Sequence, residues 1–291
     1  LQGVAVGEAA YQTAFAYAQE RKQGKAEGVE GPAPILHHAD VRRTLTTMRA
    51  RVAAARSICY ACAVAADLAE ASPDADVRAA AKLREDLLTP IAKAWSSDMG
   101  VEVASMGVQV HGGMGFMNET LAAQLYRDSR IAPIYEGTNG IQAIDLVGRK
   151  LSGTNGESMR VMLGEIEASA AAARATNDPQ LVQIADRLRA AAEALREASD
   201  WMLAQMKSRD QDKALAGATA YLALAGDVIG GHFLPRAAVA ARSSDGAARA
   251  RRLALAGFFA ETALASAPGR VAGITEGGSR FLENSEALFG V

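Results

Sequence analysis

Residues 181–202 read LVQIADRLRAAAEALREASDWM. Leu181, Ile184, Leu188, Ala191, Leu195, Ala198 and Met202 step by three and four without a miss. At 3.6 residues per turn this spacing gathers every one of them on a single face, so the segment is predicted to be a helix packed against other helices. Similar stripes run through Leu215–Ile229 and Leu253–Leu264, with a weaker one at Met159–Ile166. Together they predict an antiparallel helical bundle over residues 158–291, and core packing alone accounts for their apolar residues.

Upstream, Ser152-Gly-Thr-Asn-Gly156 is the clearest linker, which leaves residues 1–151 as a first helical domain. Its opening helix, Leu1 to about Lys22, shows apolar residues at Val4, Tyr11, Phe15 and Ala18. The stretch Gly24–Pro34, with its glycines and prolines, is predicted as loop. A long helix follows from Asp40 to about Glu70, and Ser72-Pro73-Asp74 supplies a turn and the next helix start. Leu83, Leu87, Ile91 and Ala94 then form one stripe, interrupted by Pro90. Two outcomes are open there: a kinked helix, or a new one capped by Thr89 with Pro90 at its first position. Beyond Val110 the pattern breaks at His111-Gly-Gly-Met-Gly-Phe116. A short helix over Leu121–Asp128, a loop through Ile131–Gly137 and a last helix to Lys150 follow. The two bundles share no sequence repeat.

Composition agrees with an all-α chain. Of 291 residues 49% are hydrophobic and only 5% aromatic, alanine dominates many stretches, and there are 8 prolines. The formal charge is −2 and neither half is basic, which speaks against a nucleic-acid surface. The most apolar stretch, Ser57–Ala66, falls well short of the roughly 20 residues a membrane span requires. Leu1 opens into a helical pattern rather than a secretory leader, so a soluble, cytoplasmic protein is expected. Cys59 and Cys62 have Cys-x-x-Cys spacing, but they sit in a continuous helical pattern without a second ligand pair, and buried reduced thiols are expected. His37 and His38 are adjacent and have no carboxylate at ligand spacing, so no metal is assigned.

The chemistry concentrates in residues 109–150, QVHGGMGFMNETLAAQLYRDSRIAPIYEGTNGIQAIDLVGRK. Gly112, Gly113 and Gly115 carry no side chain that would keep a ligand from the backbone. They make neither a dinucleotide fingerprint of the βαβ type nor a P-loop, since Asn118 stands where a third glycine is needed and no strand precedes them. A tight interhelical turn would also use them. Glu136 lies between apolar Ile134-Tyr135 and Gly137, just before a helix that Thr138 can cap. In that setting partial desolvation would raise its pKa towards working pH. In isolation, an acidic residue near a helix start needs only the helix dipole to explain it.

The elements Gln109-x-x-Gly112-Gly113-x-Gly115-Phe116, Arg127-Asp128 and Ile134-Tyr135-Glu136-Gly137-Thr138 resemble the C-terminal signature of acyl-CoA dehydrogenases in type, order and spacing. The run from Glu136 to Lys150, with the extra bundle after the linker, is most similar to the larger members, the subgroup that includes 3-methylmercaptopropionyl-CoA dehydrogenases. The resemblance implies an antiparallel four-helix-bundle domain followed by a second bundle. It also implies FAD as cofactor, and Glu136 as the base that removes the substrate α-proton while flavin N5 takes the β-hydrogen. Tyr135, Glu136 and Gly137 would contact the acyl-CoA, with the Glu136 N–H on the thioester carbonyl. Gln109, Gly112 and Gly113 would meet the ADP part of FAD, usually that of a neighbouring subunit; Arg21 would meet its pyrophosphate, and Thr138 would also reach the cofactor.

Some positions depart from the family pattern. Glu20-Arg21-Lys22 lacks the Phe that usually follows the Arg, with Gly24 in a longer loop, and Gly140 replaces a common polar residue. His38-Ala-Asp-Val-Arg-Arg43 is similar to a His-Pro-Asp-Val-Arg-Arg stretch of one subgroup, which implies a contribution at the flavin site. The resemblance implies oxidation of a saturated acyl-CoA to the trans-2-enoyl-CoA, as in fatty acid β-oxidation, with an electron-transferring flavoprotein as acceptor and a homodimer or homotetramer as assembly. Complete members carry further N-terminal domains, so this chain alone is expected to bind FAD poorly and to be inactive. Two alternatives are an acyl-CoA oxidase, which passes electrons to oxygen, and a non-catalytic helical module for oligomerisation.

Overall fold

The computed structural model describes residues 1–208, 211–243, 246–278 and 282–290. Among these the chain is helical, as composition and periodicity predict, and carries one isolated antiparallel bridge, Lys22–Pro34. The helices are α1 (Gln2–Glu20), α2 (Ala39–Ala71), α3 (Ala75–His111), α4 (Gly113–Phe116), α5 (Leu121–Ser129), α6 (Asn139–Asp145), α7 (Glu157–Arg174), α8 (Pro179–Lys207), α9 (Gln211–Ala240), α10 (Gly246–Phe259), α11 (Val271–Thr275) and α12 (Ser285–Phe289). Contacts gather into two compact units: Leu1–Arg56 with Ser96–Glu136, and Ser57–Trp95 with Gly137–Val291. The long helices α2 and α3 therefore contribute residues to both.

In the first unit α1 buries Gly3, Val4, Gly7, Ala10, Ala14 and Ala18. The stripe read from Val4, Tyr11, Phe15 and Ala18 is displaced, since Tyr11 and Phe15 are only half-buried and stack on each other at 5.9 Å. Small residues take the deepest line because α1 and α3 meet backbone to backbone. A Cβ on Gly3 would lie 2.1 Å from the Ser96 carbonyl oxygen. Two ion pairs border the same packing, Arg56 on Glu8 at 2.7 Å and Arg51 on Glu102 at 2.5 Å.

Local chemistry sets the helix starts. Asp74 accepts from the N–H groups of Asp76 (2.8 Å) and Val77 (3.3 Å), capping α3 after the predicted turn. Asp178 does the same for α8 with Gln180 (3.0 Å) and Leu181 (3.4 Å), and Pro179 occupies the first helical position. Pro90 is buried inside α3, which runs through it unbroken. Thr89 turns its hydroxyl back onto the Glu85 carbonyl (2.7 Å) instead of capping a new helix. The helix after Thr138 widens at Leu146–Leu151 into a π-type turn.

The second unit holds the bundle. All seven stripe residues of α8, Leu181 to Met202, are buried. Helix α9 is buried on nearly every side and runs through its centre. By length and composition α2 and α9 (with its extension to Ser243) could each cross a membrane, which the ten-residue apolar stretch did not suggest. Core helices pass the same test, and 72% of the apolar window of α9 lies inside the bundle. Cys59 is buried and Cys62 half-buried; both are free thiols, and burial pushes the Cys62 thiol up from its ordinary pKa.

Two polar arrangements organise this core. The indole N–H of Trp95 donates to Asp227 Oδ1 (3.2 Å) and Arg270 donates to Oδ2 (2.5 Å), so the carboxylate of the buried Asp227 ties α3, α9 and the turn before α11 together. The indole fits because residue 226 is glycine; a Cβ there would stand 2.2 Å from the ring. The second centre is His232, fully buried on α9. Ser169 Oγ donates to the Glu165 carbonyl (2.9 Å) and therefore accepts from His232 Nδ1 at 3.1 Å. That leaves Nε2 as a lone pair with no partner among the described residues. Desolvation, and then the nearby cations Arg236 and Arg84, press the imidazole pKa down to about 3.

Gly226→Ala is expected to destabilise the protein by about 1–3 kcal/mol through overpacking. Gly164→Ala on α7, where nothing lies within 4 Å of the added carbon, should stabilise it by roughly 0.5–1 kcal/mol. Urea unfolding of both variants measures the contrast. His232 remains neutral in the fold while the unfolded chain binds a proton below about pH 6.5. Stability should therefore fall with pH between about 6.5 and 3, by up to about 1.4 kcal/mol per pH unit from this group. His232→Leu should flatten that part of the profile when unfolding is compared at pH 7 and pH 4.5.

Candidate active site

The segment predicted to carry the base is a turn between two helical pieces. The N–H groups of Ile134 (3.0 Å) and Tyr135 (3.1 Å) both donate to the Ile131 carbonyl, and the backbone then reverses hand. Glu136 has φ 54° and Gly137 φ 83°. Three non-glycine residues among those described have positive φ, and the other two, Asn155 and Asn177, are of a type that tolerates it. Glu136 is the residue for which that conformation is costly, by about 1–2 kcal/mol. Thr138 ends the turn as cap of α6, its hydroxyl oxygen accepting from the Ile141 N–H at 3.4 Å.

The side chain of α3 that secures this turn has no signal in the sequence. Lys93 Nζ donates to the Gly137 carbonyl (2.8 Å) and to Asn139 Oδ1 (2.9 Å), and Asn139 Nδ2 donates to the Ala94 carbonyl (3.0 Å). Lys93 and Asn139, separated by 46 positions, show in a single sequence only as two ordinary polar residues. The Tyr135 hydroxyl donates to Gln2 Oε1 on α1. Glu136, Gly137 and Thr138 are exposed and Tyr135 is half-buried. The desolvation expected of Glu136 is therefore not supplied by Ile134 and Tyr135, since Ile134 is itself exposed and Tyr135 only half-buried.

The glycine loop closes α3. His111 is buried, its Nδ1 paired with the Gly107 carbonyl (2.7 Å) and its ring stacked on Tyr17 at 4.4 Å. Gly112 needs its φ of 62°, and Gly115 is needed by packing, since a Cβ there would meet the Val108 carbonyl at 2.3 Å. Gly113 is required by neither, and nothing lies within 4 Å of a Cβ at Gly112 or Gly113. The tight turn accounts for two glycines and leaves an open, approachable backbone at the other. Gln109 is exposed one turn earlier, with Met114, Met117 and the 83% exposed Phe116 alongside.

Arg21 stands at the C-terminal end of α1, exposed, with Nη2 donating to Gln23 Oε1 (3.3 Å). The following loop is held by pairs between Gln23 N–H and Ala33 (2.9 Å) and between Ala33 N–H and Gly24 (3.0 Å). His38 Nε2 meets the Gln23 carbonyl at 2.8 Å, and its ring lies 3.4 Å from where a Cβ of Gly24 would be. Arg21 and His38 thus gather around Gln23. Tyr17, whose carbonyl receives the Arg21 N–H, stacks on the histidine that precedes Gly112, which brings this cluster beside the glycine loop. No three His, Cys, Asp or Glu side chains are grouped to hold a metal among the described residues.

Residues 1–152 match the acyl-CoA dehydrogenase C-terminal domain family, and residues 162–284 the family described as acetyl-CoA dehydrogenase C-terminal like. The chain is similar to 3-methylmercaptopropionyl-CoA dehydrogenase of Ruegeria pomeroyi, 38% identical over 98% of this chain and 49% of that protein. It is 30% identical to a broad-specificity linear acyl-CoA dehydrogenase of Mycobacterium tuberculosis, over 90% of this chain and 46% of the relative. The chain spans about half the length of the curated relatives it matches. Among solved structures it is similar to an acyl-CoA dehydrogenase complexed with FAD from Bacillus anthracis, with TM-score 0.73 and 20% identity over 97% of this chain and 49% of that one. Caenorhabditis elegans ACDH-11 in complex with C11-CoA gives TM-score 0.77 and 20% identity, over 99% and 45%. Those likenesses establish the fold, and the match over residues 1–152 establishes kinship: the chain belongs to the acyl-CoA dehydrogenase family.

Proposed function

We propose that this chain supplies the base-bearing helical part of an enzyme that oxidises a saturated acyl-CoA thioester to the trans-2-enoyl-CoA, with Glu136 removing the α-proton. The observation that carries the reading is the left-handed backbone of Glu136. A glutamate held where glycine or asparagine would be at ease is strain retained at a single position, as at sites where geometry serves chemistry. Membership of the family and the names of the relatives, which act on acyl-CoA thioesters, support it.

A thioester α-proton is weakly acidic, so its removal needs a carboxylate placed against that carbon and donors at the developing enolate oxygen. Glu136 is exposed, and a bound acyl group would supply the desolvation that Ile134 and Tyr135 do not. The Glu136 backbone N–H is the donor proposed for the thioester carbonyl, with Tyr135 and Gly137 bordering the acyl-CoA. FAD fits the residues present: Gly112 and Gly113 leave their backbone open, Gln109 and Arg21 are exposed polar groups beside them, and Thr138 follows the base. When bound, the flavin accepts the β-hydrogen with its electron pair. We further propose an electron-transferring flavoprotein as acceptor and a homo-oligomer in which these residues meet the cofactor.

In the full-length, FAD-loaded enzyme, Glu136→Gln should lower dehydrogenation of acyl-CoA and α-proton exchange in D2O about a thousandfold with FAD content unchanged. Turnover close to wild type would sink the assignment, and stoichiometric hydrogen peroxide without a flavoprotein acceptor would identify an oxidase. The strain is read separately: Glu136→Gly should melt above Glu136→Ala, the reverse of their order in a helix, because only glycine adopts φ 54° without cost.

A further inference from the structure

Lys93 is joined to the turn that follows Glu136 by an arrangement with little freedom. Its Nζ donates to the Gly137 carbonyl at 2.8 Å and to Asn139 Oδ1 at 2.9 Å. The other end of the Asn139 amide donates to the Ala94 carbonyl at 3.0 Å, so the orientation of that amide is set by a donor on one side and an acceptor on the other. Lys93 and Ala94 are consecutive residues of a very long helix, interrupted by no break despite Pro90 three residues earlier. The turn is thus anchored to a rigid element at two successive positions.

We propose that Lys93 is a positioning residue for Glu136, holding the left-handed Glu136–Gly137 turn so that the carboxylate is presented in one orientation; this rests on the reading of Glu136 as base. Glycine at 137 is able to adopt either sign of φ, and Glu136 would gain by returning to a right-handed or extended conformation. A strained residue persists only where its surroundings over-determine it. Thr138 caps the helix beyond the turn through a bond to Ile141, which does not itself act on Gly137. The Gly137 carbonyl reports the rotations at Gly137 directly, and it is the atom that Lys93 grips. The ammonium group makes this bond with charge assistance, stronger than a neutral donor would give. A base displaced by a fraction of an ångström loses its alignment with the substrate carbon, so the effect falls on the chemical step more than on binding.

The test uses full-length enzyme with FAD bound. Lys93→Met is expected to lower kcat 30- to 100-fold with KM and FAD content within twofold of wild type, and Lys93→Arg to recover at least a third of the activity. A kcat within threefold of wild type for Lys93→Met, or parallel loss of FAD, would overturn the proposal. Melting temperatures supply a readout independent of turnover: the advantage of Gly over Ala at position 136 should vanish in the Lys93→Met background, because the released turn no longer imposes a positive φ. An undiminished advantage there overturns it as well. Should Glu136→Gln retain wild-type turnover while this coupling is observed, the hold of Lys93 on the turn stands and the base assignment fails.

Discussion

The structure depends on how closely other backbones approach α3. Around Trp95 the approach is made by α9, whose Gly226 leaves room for the indole and whose Asp227 satisfies its N–H. A carboxylate buried to this degree would be costly without donors, and Arg270 takes its second oxygen. At Ser96, the next residue, the neighbour is Gly3 of α1, again a position where any side chain would collide. Two residues before Trp95, Lys93 faces the turn of the candidate base. Four consecutive residues of one helix thus carry contacts on which the core and the turn rely.

Polar groups in this core differ in how fully they are satisfied. Asp227 has a donor for each oxygen, whereas among the described residues His232 has one partner for two nitrogens. The first arrangement ties three helical elements together. The second is tolerated because a neutral imidazole is far cheaper to bury than a charged one, and the two neighbouring arginines oppose its protonation. Arg84 is itself paired with Glu165, one helical turn before the serine that binds His232.

Strain and support are separated at the candidate site. Glu136 pays in backbone conformation, while Thr138, Asn139 and Lys93, which restrain its neighbours, occupy ordinary helical or capping roles. A turn built only from local hydrogen bonds would relax. Attachment to α3 lets a short exposed segment keep a conformation that its own sequence disfavours.

The helices of this chain were legible because apolar spacing is a local property. The α8 stripe from Leu181 to Met202 is buried residue for residue, and the caps at Asp74, Asp178 and Thr138 follow from side chains two or three positions from their targets. The motif from Gln109 to Thr138 could be located for the same reason, since its order and spacing are linear. What sequence alone misjudged was depth and strain: Tyr11 and Phe15 yielded the core to glycine and alanine, and Glu136 proved exposed and left-handed rather than desolvated by its neighbours. Pro90 left two outcomes open until packing kept α3 whole. Local periodicity and motif order therefore determined which segments are helices and where the candidate base lies. Only the tertiary structure decided which faces meet, that Lys93 grips the turn, and that Asp227 binds Trp95, because these pairs lie tens of residues or more apart and their energies depend on distances that no local pattern encodes.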